Sequence, residues 1–294
     1  MRDGEWQLAY AGTAVTFGLP DLGVFFTAGP DQGDIDITSD DSARPRGDGR
    51  AFGIDTHGGR TITFELATHG SSENSARDTM ADFVRAWRAD AVRAVPGTVA
   101  ELRARNAGRE RLLYGRPRRI AVTDVDATSA IMTAVADFAA VDDLYYGTEL
   151  HTITVGIVPP TGGGLVGTLA APLSTTATSD RSTVITVDTP LPCWPVVTIT
   201  GPITNPEITV TGQWRLALAT ALGAGSRIVV DPRPWARTVL RDQAASLAGA
   251  LTRDSVRLAD MTLRAGAAEV VFRGADATGT ASARLEWRST YPSL

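Results

Sequence analysis

From residue 281 to residue 288 apolar and polar side chains alternate strictly. Ala281, Ala283, Leu285 and Trp287 fall on one face, and Ser282, Arg284, Glu286 and Arg288 fall on the other. A half-buried β-strand is the only regular element with that period. The same alternation appears at Trp6, Leu8 and Tyr10, at Ile35 and Ile37 against Asp34 and Asp36, at Ile62, Phe64 and Leu66, and at Ile153, Val155 and Ile157. Further short runs cover residues 184–187, 196–200, 207–211, 213–218, 227–230, 238–240, 255–258 and 269–272, separated by Gly, Pro and Asn turn signals. A chain punctuated in this way, with no long helix in its second half, is mainly β and closes on a sandwich.

One helix interrupts the strands. Between about Ser75 and Val95, Met80, Phe83, Val84, Trp87 and Ala91 recur at three- and four-residue spacings opposite Arg77, Asp78, Asp82, Arg85 and Arg88, and Pro96-Gly97 ends the run. Residues 98–102 and 109–123 are again extended, with a turn at Asn106-Ala107-Gly108 that tolerates positive φ. Residues 131–141 read two ways, because Ile131, Ala134, Val135 and Phe138 also suit a helix. Pro159-Pro160 and Gly162-Gly163-Gly164 open a Thr/Ser-rich stretch with almost no charge. These signals predict an N-terminal domain over residues 1–158, a linker over 159–182 and a C-terminal domain over 183–294.

Composition narrows the function classes. With 43% hydrophobic and 21% charged residues in 294, the chain is globular and long enough for two cores. All 28 cationic residues are arginine, a mark of GC-rich coding, and the net charge of -5 argues against a dedicated, sequence-specific nucleic-acid binder. Cys193 is the single cysteine, so no internal disulfide forms, and a small buried hydrophobe is its expected role. Residues Met1 to Trp6 contain no apolar signal-peptide core, and no run reaches the ~18 apolar residues of a membrane-spanning helix. The expectation is therefore synthesis and assembly in a cytoplasm without membrane insertion.

Clusters that would carry catalysis are missing from the sequence. His57, His69 and His151 are far apart, no Gly-x-Ser-x-Gly elbow occurs, and the glycine triplet is followed by neither lysine nor a helical pattern. No enzyme activity, metal or cofactor is expected. Asp31, Asp34, Asp36, Asp40 and Asp41 form the densest acidic cluster; without EF-hand spacing they read as a solvated strand face and loop rather than a calcium site. Arg103, Arg105, Arg109, Arg111, Arg116, Arg118 and Arg119 form its cationic counterpart. Lacking interleaved aromatics beyond Tyr114, they suit inter-subunit pairing with carboxylates, and Asp34 and Asp36 are the matching candidates. Arg46-Gly47-Asp48 reads as a turn. Trp194 and Trp235, flanked by prolines, leave a sugar-stacking platform open beside the weightier alternative of packing, whereas Leu285 and Trp287 are read as C-terminal core.

Several segments resemble one family in order and spacing. In the C-terminal part they are Pro195-Val196-Val197-Thr198-Ile199-Thr200-Gly201-Pro202-Ile203-Thr204-Asn205-Pro206, Ala224-Gly225-Ser226-Arg227-Ile228-Val229-Val230-Asp231 and Gly279-Thr280-Ala281-Ser282-Ala283-Arg284-Leu285-Glu286-Trp287-Arg288. In the N-terminal part they are Arg44-Pro45-Arg46-Gly47-Asp48-Gly49, Gly53-Ile54-Asp55, Gly59-Arg60-Thr61-Ile62-Thr63-Phe64, Tyr114-Gly115-Arg116-Pro117-Arg118-Arg119 and Ala136-Asp137-Phe138-Ala139-Ala140-Val141-Asp142-Asp143-Leu144-Tyr145-Tyr146. Together they resemble the distal tail proteins, a class of minor tail protein, of siphophages infecting actinobacteria. The resemblance implies a structural virion protein: a homo-hexameric ring at the distal end of the tail, joining the tail tube protein to the tail-tip or baseplate proteins and surrounding the DNA ejection channel. It implies a belt-type N-terminal β domain, a C-terminal galectin-like β-sandwich and a strand at residues 131–141. It transfers no catalytic residue. The alternative is a lectin-like carbohydrate-binding module built on the same C-terminal sandwich.

Overall fold

The computed structural model describes residues 1–35, 37–44, 46–126, 128–157 and 182–294. The linker read at 159–182 thus lies outside the described residues apart from Ser182. The chain is mainly β and divides into two compact units, residues 1–148 with 291–294, and residues 149–290.

In the first unit the strands are β1 (Trp6–Tyr10), β2 (Thr13–Phe17), β3 (Val24–Phe26), β4 (Thr61–His69), β5 (Ala100–Asn106), β6 (Arg109–Asp126), β7 (Ile131–Ala140) and β8 (Tyr145–Gly147). They pair antiparallel in the order β2-β1-β5-β6-β7-β4-β3, with β8 beside β6. The two ends of that order meet. Gly18, just beyond β2, donates its N–H to Val24 O at 2.9 Å and accepts from Phe26 N at 3.2 Å, so the sheet is a nearly closed barrel. Only glycine fits there: φ is +116°, and a Cβ would stand 2.6 Å from Gly4 O. Closure removes two open edges that would otherwise invite pairing with other chains.

Residues 131–141 settle as strand β7, whose Met132, Ala134, Ala136, Phe138 and Ala140 are buried in alternation. The helical reading required Ile131 and Val135 inside, and neither is buried. The helical stretch itself is two pieces, α1 (Glu73–Arg88) and α2 (Asp90–Arg93). Ser72 caps α1, its Oγ accepting from Ser75 N, and Ala89 breaks the run in a left-handed conformation at φ 46°. That single break shifts the helical phase, so Val92 is buried and Ala91, expected on the core face, is exposed. Phe83 and Trp87 join Trp6, Phe17 and Phe64 in the barrel core through edge-on and stacked ring pairs at 5.1–5.9 Å.

The second unit contains β9 (His151–Gly156), β10 (Ser182–Val187), β11 (Val196–Thr200), β12 (Ile203–Val210), β13 (Trp214–Ala217), β14 (Arg227–Asp231), β15 (Thr238–Arg241), β16 (Gly266–Ala275) and β17 (Ser282–Trp287). One sheet runs β9-β17-β11-β14-β15, the other β10-β16-β12-β13. Inward residues of both form a single core: Val155, Val197, Ile199, Val230 and Leu285 face Ile185, Ile208, Val210, Val270 and Phe272. This is a two-sheet sandwich. β9, read from sequence as the last strand of the N-terminal part, belongs to this unit because His151 to Gly156 pair with Trp287 to Ser282. Residues 255–258 differ from expectation as well, running from a bend at Ser255 through two residues outside regular structure to the start of a 3-10 helix at Leu258–Asp260. Ser255 binds the β13 backbone with its hydroxyl, at 2.9 Å from Ala217 N and 2.8 Å from Ala217 O, between main-chain bonds from Thr252 N to Ala217 O and from Val256 N to Arg215 O.

Candidate interaction surfaces

Residues 33–58 leave the barrel between β3 and β4 as an arm. Its regular structure is two ladders of two-residue strands, Ile37–Thr38 with Thr56–His57 and Ser42–Ala43 with Arg50–Ala51. Two residues per strand bury nothing, and Ile35, Ile37, Phe52 and Ile54 are all exposed. Of the described residues in the alternation at 34–37, only Ile37 lies in a strand and none is buried, so the half-buried face expected there is not seen among them. Asp34 is exposed and outside any strand; Asp36 lies outside the described residues. Arg46-Gly47-Asp48 lies exposed in the turn of the second ladder.

The feet of the arm are built more firmly. Asp31 and Thr63 exchange backbone hydrogen bonds at 2.9 and 3.0 Å, and Tyr145 donates its hydroxyl to Gln32 Oε1 at 2.7 Å. At the returning foot His57 Nδ1 lies 2.8 Å from Asp143 Oδ2. Between the feet Arg60 is buried, donating to Asp143 O at 2.6 Å with its guanidinium 4.8 Å from the centre of the Tyr145 ring. Burial raises the neighbouring Asp142 carboxyl to about 6, against the pull of the Tyr146 hydroxyl that donates to it at 2.5 Å. Sequence reading missed this network. The available signal was Arg60 itself, a cation in phase with the buried Ile62, Phe64 and Leu66.

The cationic row is divided by the fold. Arg103 pairs with Glu101 at 2.9 Å and Arg105 with Asp3 at 3.3 Å. Arg111 lies 3.6 Å over the Tyr291 ring. Arg116 donates to Thr98 O and Val95 O at 2.8 and 2.7 Å, holding the turn that follows the helices. Arg109, Arg118 and Arg119 are exposed, and among the described residues no ion pair involves them or Asp34. Two consecutive arginines point outward because a β-bulge lies between Pro117 and Ile120. Beyond it the β6–β7 hairpin exposes Val122 and Val125.

Leu285 and Trp287 are buried in the sandwich core. His151 stacks on Trp287 at 5.5 Å, and the pair lies along an open cavity of about 410 Å³ with Leu150, Thr152, Val184 and Thr186. Trp235 sits 5.0 Å beneath the Arg233 guanidinium, and Trp194 is half-buried. Cys193 is buried, which pushes its thiol up to about 12. Among the described residues no group of three or more His, Cys, Asp or Glu could hold a metal ion, and His69 packs at 5.7 Å against Phe25.

No family model matches the sequence, and no curated protein matches it. The fold is shared with solved structures. The chain is similar to the SPP1 Dit (gp 19.1) protein, described as a paradigm of the hub adsorption apparatus in phages infecting Gram-positive bacteria. The TM-score is 0.57 at 12% identity, over 97% of this chain and 99% of that one. It is also similar to a chain of the phage P2 baseplate in its activated conformation with calcium, with a TM-score of 0.56 at 10% identity over 99% of each chain. A chain of the same baseplate with strontium gives 0.53 at 10% identity, over 96% of this chain and 97% of that one.

Proposed function

We propose that this protein is a structural hub of a phage tail, a distal tail protein that forms a hexameric ring between the tail tube and the tip or baseplate. The observation that carries the reading is the extent of the fold likeness: hub and baseplate chains align over 96–99% of this chain, taking in both units. On this reading the first unit is the belt that closes the ring around the ejection channel, and the sandwich is the galectin-like decoration. The partners are further copies of the chain, a tail tube protein and a tail-tip protein, and the place of action is the virion tail of an actinobacterial siphophage. The role needs no turnover and no cofactor, and the scattered histidines and buried cysteine suit it.

A carbohydrate-binding module would need an aromatic face open to a sugar, and of the two tryptophans that could supply one, Trp235 already lies 5.0 Å beneath the Arg233 guanidinium and Trp194 is half-buried. Light scattering on the purified full chain, followed by negative-stain imaging, separates the two. Six-subunit rings with a central opening are expected; a monomer that binds glycans would replace the hub reading with the lectin one.

A further inference from the structure

The arm is an unpartnered apolar surface. Phe52 is 87% and Ile54 82% exposed, with Ile35 and Ile37 exposed beside them. Isolated surface hydrophobes need no account, but four large ones on one short segment do. The feet hold the arm outward from the barrel through Gln32–Tyr145 and His57–Asp143, so the exposed residues sit on a braced projection. A second apolar surface lies on the β6–β7 hairpin at Val122 and Val125.

The two surfaces occupy opposite ends of the same sheet. The arm returns to the barrel at Thr61, which faces Ala139, whereas Val125 lies in register with Met132 and through it with Thr68. At strand rise, Thr61 to Thr68 is ~23 Å. The arm does not cover the hairpin of its own chain, as the exposure of both shows. Their charges are complementary. Asp40 and Asp41 on the arm answer Arg118 and Arg119 at the bulge, and Arg44, Arg46 and Arg50 answer Asp124 and Asp126 at the hairpin. Eight of the nine are exposed, and Asp41 is half-buried, its Oδ1 accepting from Gly53 N at 3.1 Å while its second oxygen is left for a partner. Matching sets of both signs fix register as well as attraction. Two different patches that fit each other generate a head-to-tail contact, which closes into a ring or continues as a stack.

We infer that the arm of one copy docks on the outer β6–β7 hairpin of the next, Phe52 and Ile54 covering Val122 and Val125 while Asp40 and Asp41 pair with Arg118 and Arg119. This rests on the ring reading and supplies its contact. The sole native cysteine is buried, so engineered cysteines report cleanly. Full-length Phe52→Cys, carrying a mass tag, is mixed with untagged Val122→Cys or, as a second position, Val125→Cys. Bis-maleimide is added, and folding is checked by circular dichroism. A tagged–untagged heterodimer is expected, absent when Phe52→Cys is mixed with wild type. Asp40→Arg with Asp41→Arg should lower its yield roughly tenfold, and Arg118→Asp with Arg119→Asp in the partner should restore it. Ring mass without the heterodimer overturns the arm contact and leaves the ring; monomer mass without it overturns both. Cross-linking only between two Phe52→Cys chains overturns the contact in favour of a symmetric arm pair.

Discussion

Single side chains carry consequences that pH and mutation can read. Because burial raises the Asp142 carboxyl to about 6, the folded first unit holds that proton more tightly than the unfolded chain, whose carboxyl keeps its ordinary value of 3.8. The contribution is fully present below pH ~4 and is lost as pH rises through ~6, on the order of 1–2 kcal/mol after allowing for the water that still reaches the group. Denaturation midpoints measured from pH 4 to 7 should therefore slope less in Asp142→Asn than in wild type, and an unchanged slope would refute the assignment. In the sandwich, Trp287→Ala removes a ring that is 5% exposed and stacked on His151. A loss of about 3–5 kcal/mol is expected from its denaturant midpoint; a loss below ~1 kcal/mol would mean the ring does little packing. The alternation around Trp287 made its burial legible from sequence, since period 2 leaves one choice of face. The Arg60 network was not legible, because its partners Gln32, Asp143 and Tyr145 converge only when β4, β7 and β8 assemble.

Among elements, the turn joining β5 and β6 places Ala107 at φ 49° and Gly108 at φ 75°. A β-carbon at positive φ is strained, and asparagine accepts that region more readily than alanine. Ala107→Asn should raise the melting temperature, a gain of up to about 1 kcal/mol from relieving the left-handed strain; no change would show that the turn is relaxed as it stands. This turn was visible in the residues Asn106-Ala107-Gly108, as were β1, β4 and β17, whose apolar periods are long enough to fix a face. The failures share a cause. Ile35 and Ile37 alternate as well as any strand, yet a period says which side could be buried and not whether another layer exists to bury it. Likewise nothing in the run around Ala91 announces that Ala89 turns left-handed and rotates the next buried position to Val92. The Arg103 to Arg119 row looked uniform because strand pairing, the Pro117–Ile120 bulge and the Tyr291 contact that tell its members apart are all tertiary.

For the whole molecule, the boundary between units falls where strand pairing puts it. β9 occupies an edge of the sandwich, giving β17 a partner along His151 to Gly156. A fragment beginning at residue 149 should fold, whereas one beginning at 183 loses that strand and uncovers Leu285 and Trp287; proteolysis of the two fragments under identical conditions tests this, equal resistance counting against it. The interface candidates Arg109, Arg118, Arg119 and Asp34 all belong to the first unit. Assembly should accordingly reside there, with the second unit monomeric by light scattering.

The last four residues give the connectivity a further meaning. Tyr291 to Leu294 return to the first unit, where Tyr291 lies beneath Arg111 and the Thr290–Tyr291 strand pairs with β8, the strand from which the chain departs at Thr148. In the logic of gene rearrangement, the sandwich is thus an insert whose entry and exit are neighbours, not an appendage at the end of the chain. Such a segment can be swapped for another fold, or lengthened, without repositioning either end, while trimming the C-terminal tip damages the host barrel and spares the insert.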